Sequence, residues 1–253
     1  MIRGIYTAGA GLATAQLRLG IVSNNIANAQ TPGYKQDQLP DDVGKAIDLQ
    51  KFATDSNGNP IGSIQLGPQV GLSQLDLTSG PMQETANPLD LAIGGSGFFA
   101  AQAPDGTVRY TRDGGFHADV NGALRARDGS AVLDTNGQPI TLPPNSDVAV
   151  AADGTVLADG NQVAQLQLAD FAPGTQLNKV GNGMFTAPAG TLPTPATGVQ
   201  LYQGYLEGSN VDMTDSMVQT MNLVRAYEAN QKLLQMQDET LKSTVNDVGK
   251  ANG

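Results

Sequence analysis

The chain has 253 residues, 40% of them hydrophobic and 15% charged, enough to bury a core without metal or disulfide staples. Lys and Arg number 14 against 24 Asp and Glu, a net charge of −10 with no two basic residues adjacent, which argues against nucleic-acid binding by phosphate neutralisation and against an anionic membrane surface. Zero Cys and one His exclude disulfides, thiol chemistry and Cys/His zinc sites, and no apolar window approaches the ~18 residues of a membrane span. No Sec-type signal is readable, so a route out of the cytoplasm would leave the N-terminus uncleaved.

Residues 1–35 read as a first helix. Ile5, Ala8, Leu12, Ala15, Leu19, Val22 and Ile26 recur at alternating spacings of 3 and 4, a narrow coiled-coil-like seam. Gly4, Gly9, Gly11 and Gly20 each weaken it by about 1 kcal/mol relative to Ala, so the helix is marginal without a partner. Asn24, Asn25 and Asn28 crowd its end before Thr31-Pro32-Gly33; such residues suit helix ends, where their amides bond backbone groups of this chain or of a neighbouring subunit. Residues 36–86 read as an extended connector, including Asp41-Asp42, Asn57-Gly58 and Pro60.

From 87 to 182 the period changes. Asp105-Gly106, Asp113-Gly114, Asn121-Gly122, Asp128-Gly129, Asn136-Gly137, Asp153-Gly154 and Asp159-Gly160 are hairpin-turn signals between short strand-like pieces, which predicts an antiparallel all-β domain. Residues 183–204 read as a Pro-rich connector. Residues 205–253 read as a second helix with a seam at Met217, Met221, Val224, Tyr227, Leu234, Leu241, Val245 and Val248, after acidic residues Asp212 and Asp215 that suit its dipole. The expected fold is α+β, a β domain inserted between two coiled-coil-forming terminal helices.

Little in the chain reads as chemistry. Gly94-Gly95-Ser96-Gly97 lacks the Lys-Ser/Thr of a phosphate cradle, and Gly9-Ala10-Gly11 sits inside the helical stripe rather than after a strand. His117 reads as a strand-edge or turn residue, and Asp113, Asp119, Asp128, Asp134 and Asp153 as solvated turn residues rather than calcium ligands or a carboxylate pair. No catalytic residue, cofactor site or metal site is assigned. Two alternatives are an extracellular β-sandwich that binds carbohydrate, disfavoured by 5% aromatics and no Trp, and a turn-rich hydrolase using His117, Asp113 or Asp134.

Specific blocks go further. The run from Ser23-Asn24-Asn25-Ile26-Ala27-Asn28 to Thr31-Pro32-Gly33-Tyr34-Lys35 closely resembles the N-terminal signature of the flagellar basal-body rod and hook proteins. The likeness continues in residues 80–93, Gly97-Phe98-Phe99, residues 110–116, Leu206-Glu207-Gly208-Ser209-Asn210-Val211-Asp212 and residues 225–232, in the family's order. The resemblance implies a non-enzymatic subunit of the basal-body rod. Its terminal helices would form an inner layer around the export channel, assembling with copies of itself and with other rod and hook proteins and transmitting torque. It further implies passage through the flagellar type III export apparatus with the N-terminus uncleaved, and a location in the cell envelope outside the cytoplasmic membrane without membrane insertion. A hook protein is disfavoured, because the length leaves no room for an additional β domain. The expected assembly residues are those of the two seams together with Asn24, Asn25 and Asn28.

Overall fold

The computed structural model describes residues 2–40, 46–50, 60–65, 73–172 and 174–251, with side chains outside the description at 2–3, 46–50, 60–65 and 247–251. The fold is α+β: helix α1 (Ile2–Ala27), a series of short strands paired antiparallel, then helix α2 (Met213–Ala251). The chain divides into two compact units, one of Met1–Ile26, Asp37–Gln74 and Met213–Gly253, the other of Ala27–Gln36 and Leu75–Asp212.

The apolar spacing that predicts α1 buries Ala8, Ala15 and Val22 on one face. The Thr14 hydroxyl, also buried, donates to the Ala10 carbonyl at 2.9 Å and so brings no unpaired polar group into that face. The helix stops where the Asn28 carbonyl accepts the Thr31 amide at 3.0 Å, ahead of Pro32 and of Gly33 at φ 66°. In the same unit Ala46–Gln50 pairs antiparallel with Pro60–Gln65 inside the segment read as a connector; Asp41-Asp42 and Asn57-Gly58 lie outside the described residues.

The second unit is organised on the strand Phe98–Gln102. One edge pairs with Val108–Thr111; the other pairs first with Leu168–Asp170 and then with Ala131–Val132. Alternation sends Phe99 and Ala101 into a core with Leu91, Ile93, Phe116, Val132 and Ile140, and Phe98 and Ala100 into a second with Tyr110, Phe171 and Phe185. A strand covered on both faces explains the unbroken apolar run at 98–101. Edge-to-face rings, Phe99 on Phe116 at 5.0 Å and Tyr110 on Phe171 at 4.9 Å, fill the two cores.

Six of the seven Asx-Gly pairs are turns with glycine at positive φ. Asp113-Gly114 is the exception: Gly114 is needed because a Cβ there would collide with the Leu91 carbonyl, whose strand it approaches. Strand structure also continues past residue 182, in Met184–Thr186, Thr194–Pro195 and Gln200–Gln203. Proline is tolerated there because Thr194–Pro195 pairs on one side only, with Leu168–Asp170.

Candidate assembly site

The two terminal helices lie against each other. A Cβ on Gly4 would collide with the Gln237 amide, and one on Gly11 would sit 3.0 Å from Asn230 Nδ2. Seven residues forward on α1 thus match seven residues back on α2, an antiparallel pairing in heptad register. On α2 the shielded positions are Ser216, Thr220, Leu223, Tyr227, Asn230, Leu234, Gln237 and Leu241, spaced 4 and 3 in alternation. Half of that row is polar. The Thr220 hydroxyl turns back to the Ser216 carbonyl at 2.9 Å, which keeps it satisfied without a partner across the seam.

The expected assembly residues divide between this pairing and the outside. On α1, Ala8, Ala15, Val22 and Asn25 are buried, while Ile5, Leu12, Leu19, Ile26 and Asn28 are half-buried and Asn24 is exposed. On α2, Tyr227, Leu234 and Leu241 fall on the shielded row. Met217, Met221, Val224 and Val245 do not: they are 50, 53, 39 and 68% exposed on another face, and the Val248 side chain lies outside the described residues. Sequence reasoning missed Ser216, Thr220, Asn230 and Gln237, which carry no hydrophobic signal. Asn25 bonds its own chain, its Nδ2 donating to the Asp37 carbonyl at 2.8 Å and its Oδ1 accepting the Asp37 amide at 3.0 Å.

A second feature was not legible at all. Lys35, Glu207 and Arg112, 0, 1 and 2% exposed, meet inside the β-containing unit. Lys35 Nζ donates to Glu207 Oε1 and to the Thr78 carbonyl, each at 2.6 Å; Arg112 Nη1 reaches Glu207 Oε2 at 3.0 Å and Nη2 the Gly95 carbonyl at 2.9 Å. The Gly80 amide adds a bond to Glu207 Oε1 at 2.9 Å, and the guanidinium stacks 5.1 Å from the Phe98 ring centre. Burial pulls the Lys35 pKa below its usual value, against the opposing pull of Glu207. Around the triad, the Gly33 amide donates to the Glu207 carbonyl at 2.7 Å, the Gln36 amide to Asn210 Oδ1 at 2.8 Å, and Asn210 Nδ2 to the Asp76 carbonyl at 2.9 Å. Lys179 Nζ donates to the Lys35 carbonyl at 2.7 Å and lies 4.3 Å from the Tyr34 ring centre. Gly33 needs its positive φ here, where a Cβ would also meet the Asp113 amide.

The residues weighed for chemistry stand apart from this cluster or serve backbone roles. His117 is an exposed residue of the strand His117–Ala118. Asp119, Asp128, Asp134 and Asp153, like the turn residue Asp105, each accept the amide two residues on, at 2.8–3.0 Å. Asp113 is the buried one; its Oδ1 accepts the Gly115 amide at 3.0 Å, Arg127 Nε lies 3.2 Å from Oδ2, and burial pushes its carboxyl up.

Terminal helices that pair with each other, separated in sequence by a β region, make an α+β fold, with an apolar row left exposed on α2. Family comparisons agree with that class in chain order. The model for flagella basal body rod protein matches residues 5–35, that for the flagellar hook protein FlgE/F/G D1 domain residues 92–158, and that for the flagellar basal body rod FlgEFG protein C-terminal residues 202–247. The flagellar basal-body rod protein FlgF of Caulobacter vibrioides is 34% identical over 253 residues, covering 100% of both chains. FlgG of Bacillus subtilis is 32% identical over 265 residues, 97% of this chain and 99% of that one, and FlgG of Agrobacterium fabrum 32% identical over 254 residues, 94% and 96%. The chain belongs to the flagellar basal-body rod protein family. Lys35, Arg112 and Glu207 fall one in each of the three matched segments.

Proposed function

We propose that this chain is a non-enzymatic structural subunit of the flagellar basal-body rod, joined to further copies of itself and to other axial proteins through outward faces of its terminal helices. Of the seams in segments 1–35 and 205–253, the part left outward, Met217, Met221, Val224 and Val245 on α2 with Asn24 and the half-buried Asn28 at the end of α1, forms the assembly element, and the β region separates the two segments in sequence. The subunit reaches its place outside the cytoplasmic membrane through the flagellar type III export apparatus, uncleaved and without inserting into the membrane; no helix among the described residues is long and apolar enough to cross one. A heterologous contact whose rotation does not close repeats into a helical filament, which can pass torque along its axis.

One observation carries the reading. Met213, Met217, Met221 and Val224 form an exposed apolar row along the first turns of α2, on a helix whose other face is already paired. Replacing Met217→Glu and Met221→Glu in the intact chain leaves helix content and β-region stability in place and abolishes concentration-dependent association in light scattering. Undiminished association of that variant overturns the assignment of this row.

A further inference from the structure

The triad and its surroundings tie together two stretches of chain that lead into the two helices. Gly33 stands six residues after the end of α1 and Glu207 six residues before the start of α2, and they are joined by a 2.7 Å backbone bond. The Asn210 amide donates to the Tyr34 carbonyl at 3.4 Å while its side chain takes the Gln36 amide, so three successive contacts run between the strands of chain at 33–36 and 207–210. Gly80 seals the arrangement, since any side chain there would meet the Gly208 carbonyl. Residues 28–212 separate the helices in sequence. An ordinary pair of antiparallel helices is joined by a loop of 2–5 residues.

We propose that the Lys35–Glu207–Arg112 triad with Asn210 and Lys179 is a clasp that does the work of a hairpin turn for α1 and α2, holding their roots side by side so that the helices pair within one chain in the Gly4–Gln237 and Gly11–Asn230 register. The α2 row in that pairing is half polar, too weak a seam to select a register by apolar burial alone. Tethering both roots raises the concentration each helix presents to the other and removes the entropy of closing a long loop. The buried ion pairs suit the task. They contribute little net stability, but parting them leaves a buried charge uncompensated, which penalises departures from this arrangement. The clasp deepens the assembly reading and depends on it only for the purpose that the paired helices serve.

The chain has no cysteine, so a Gly11→Cys/Asn230→Cys pair reports the register directly: a Cβ at Gly11 stands 3.3 Å from Asn230 Cγ. In dilute full-length monomer under a fixed oxidant, this pair forms an intramolecular disulfide. Adding Asn210→Ala, which removes clasp bonds without stranding a buried charge, slows that disulfide by about tenfold while the urea midpoint of the β region holds. Lys179→Met, at the outer edge of the clasp, slows it in the same direction. Parental rates in both variants overturn the clasp, and so does a parental pair that fails to cross-link. Failure of the parental protein to form any polymer leaves the clasp standing and counts against the assembly reading alone.

Discussion

Glu207 shows how much one residue can hold. Its two oxygens receive Lys35, Arg112 and the Gly80 amide in a place closed to water, and removing its charge strands two cations there. Breaking such a set is costly even where building it gains little. Glu207→Gln is therefore expected to lower the unfolding free energy of the full chain by about 3 kcal/mol in urea denaturation, and a change under 1 kcal/mol would show that the triad is solvated. Nothing in the sequence marks this contact, because Lys35 and Glu207 are 172 positions apart and neither belongs to an apolar pattern. The turn aspartates were legible, since each acts on the two residues that follow it. The Thr107 hydroxyl at Asp105, the Arg125 guanidinium at Asp119, and the Gln138 and Thr155 amides at Asp134 and Asp153 hold those carboxyls below their usual 3.8. A lowered carboxyl adds stability above its unfolded value and loses it as acid protonates the folded state. Asp113, raised by burial, works in the opposite sense: its contribution is present at low pH and lost as pH rises through the raised value. Asp76 is likewise held below its usual value, its carboxylate bonded by Gln36 and Thr78. With five groups against one, the urea midpoint of the β region falls between about pH 5 and about pH 3; a midpoint that holds or rises would contradict this balance.

At the scale of elements, the two helices differ in how far their sequences disclose them. The α1 stripe is apolar and small, and the residues it singles out include the buried Ala8, Ala15 and Val22. On α2 the most hydrophobic stripe and the paired stripe are different faces, since pairing runs through Ser216, Thr220, Asn230 and Gln237 beside Leu223, Tyr227, Leu234 and Leu241. Periodicity in hydrophobicity finds the greasiest face, and that face finds a partner inside the chain only when geometry permits. The strand Phe98–Gln102 was legible as a strand but not as a doubly covered one, because its second core comes from Phe171, Leu177 and Phe185, far along the chain. Glycines in α1 separate two roles. Gly4 and Gly11 face α2, whereas a Cβ at Gly9 or Gly20 would meet nothing within 4 Å among the described residues. Gly9→Ala and Gly20→Ala are each expected to raise helix content and stabilise α1 by about 1 kcal/mol, read by circular dichroism during thermal unfolding; no gain at either position would mean that the helix is not limited by its own propensity.

For the molecule as a whole, the order of parts was readable from sequence and the boundaries were not. Helix, β region and helix follow from periodicity, turn pairs and periodicity again. Yet the β-containing unit reaches into both ends, taking Ala27–Gln36 and residues up to Asp212, because the buried triad needs Lys35 from one side and Glu207 from the other. A cut after residue 35 and before 205 would remove both partners and unfold the part it was meant to isolate. The structural rod subunit is thus a β unit that holds the roots of its own terminal helices. The most direct measurement compares the full chain with residues 27–212 by light scattering and electron microscopy across a range of concentrations. The account predicts filaments or rings from the full chain, and a folded monomer at every concentration from 27–212. Equal association of the two, or a full chain that stays monomeric throughout, would contradict it.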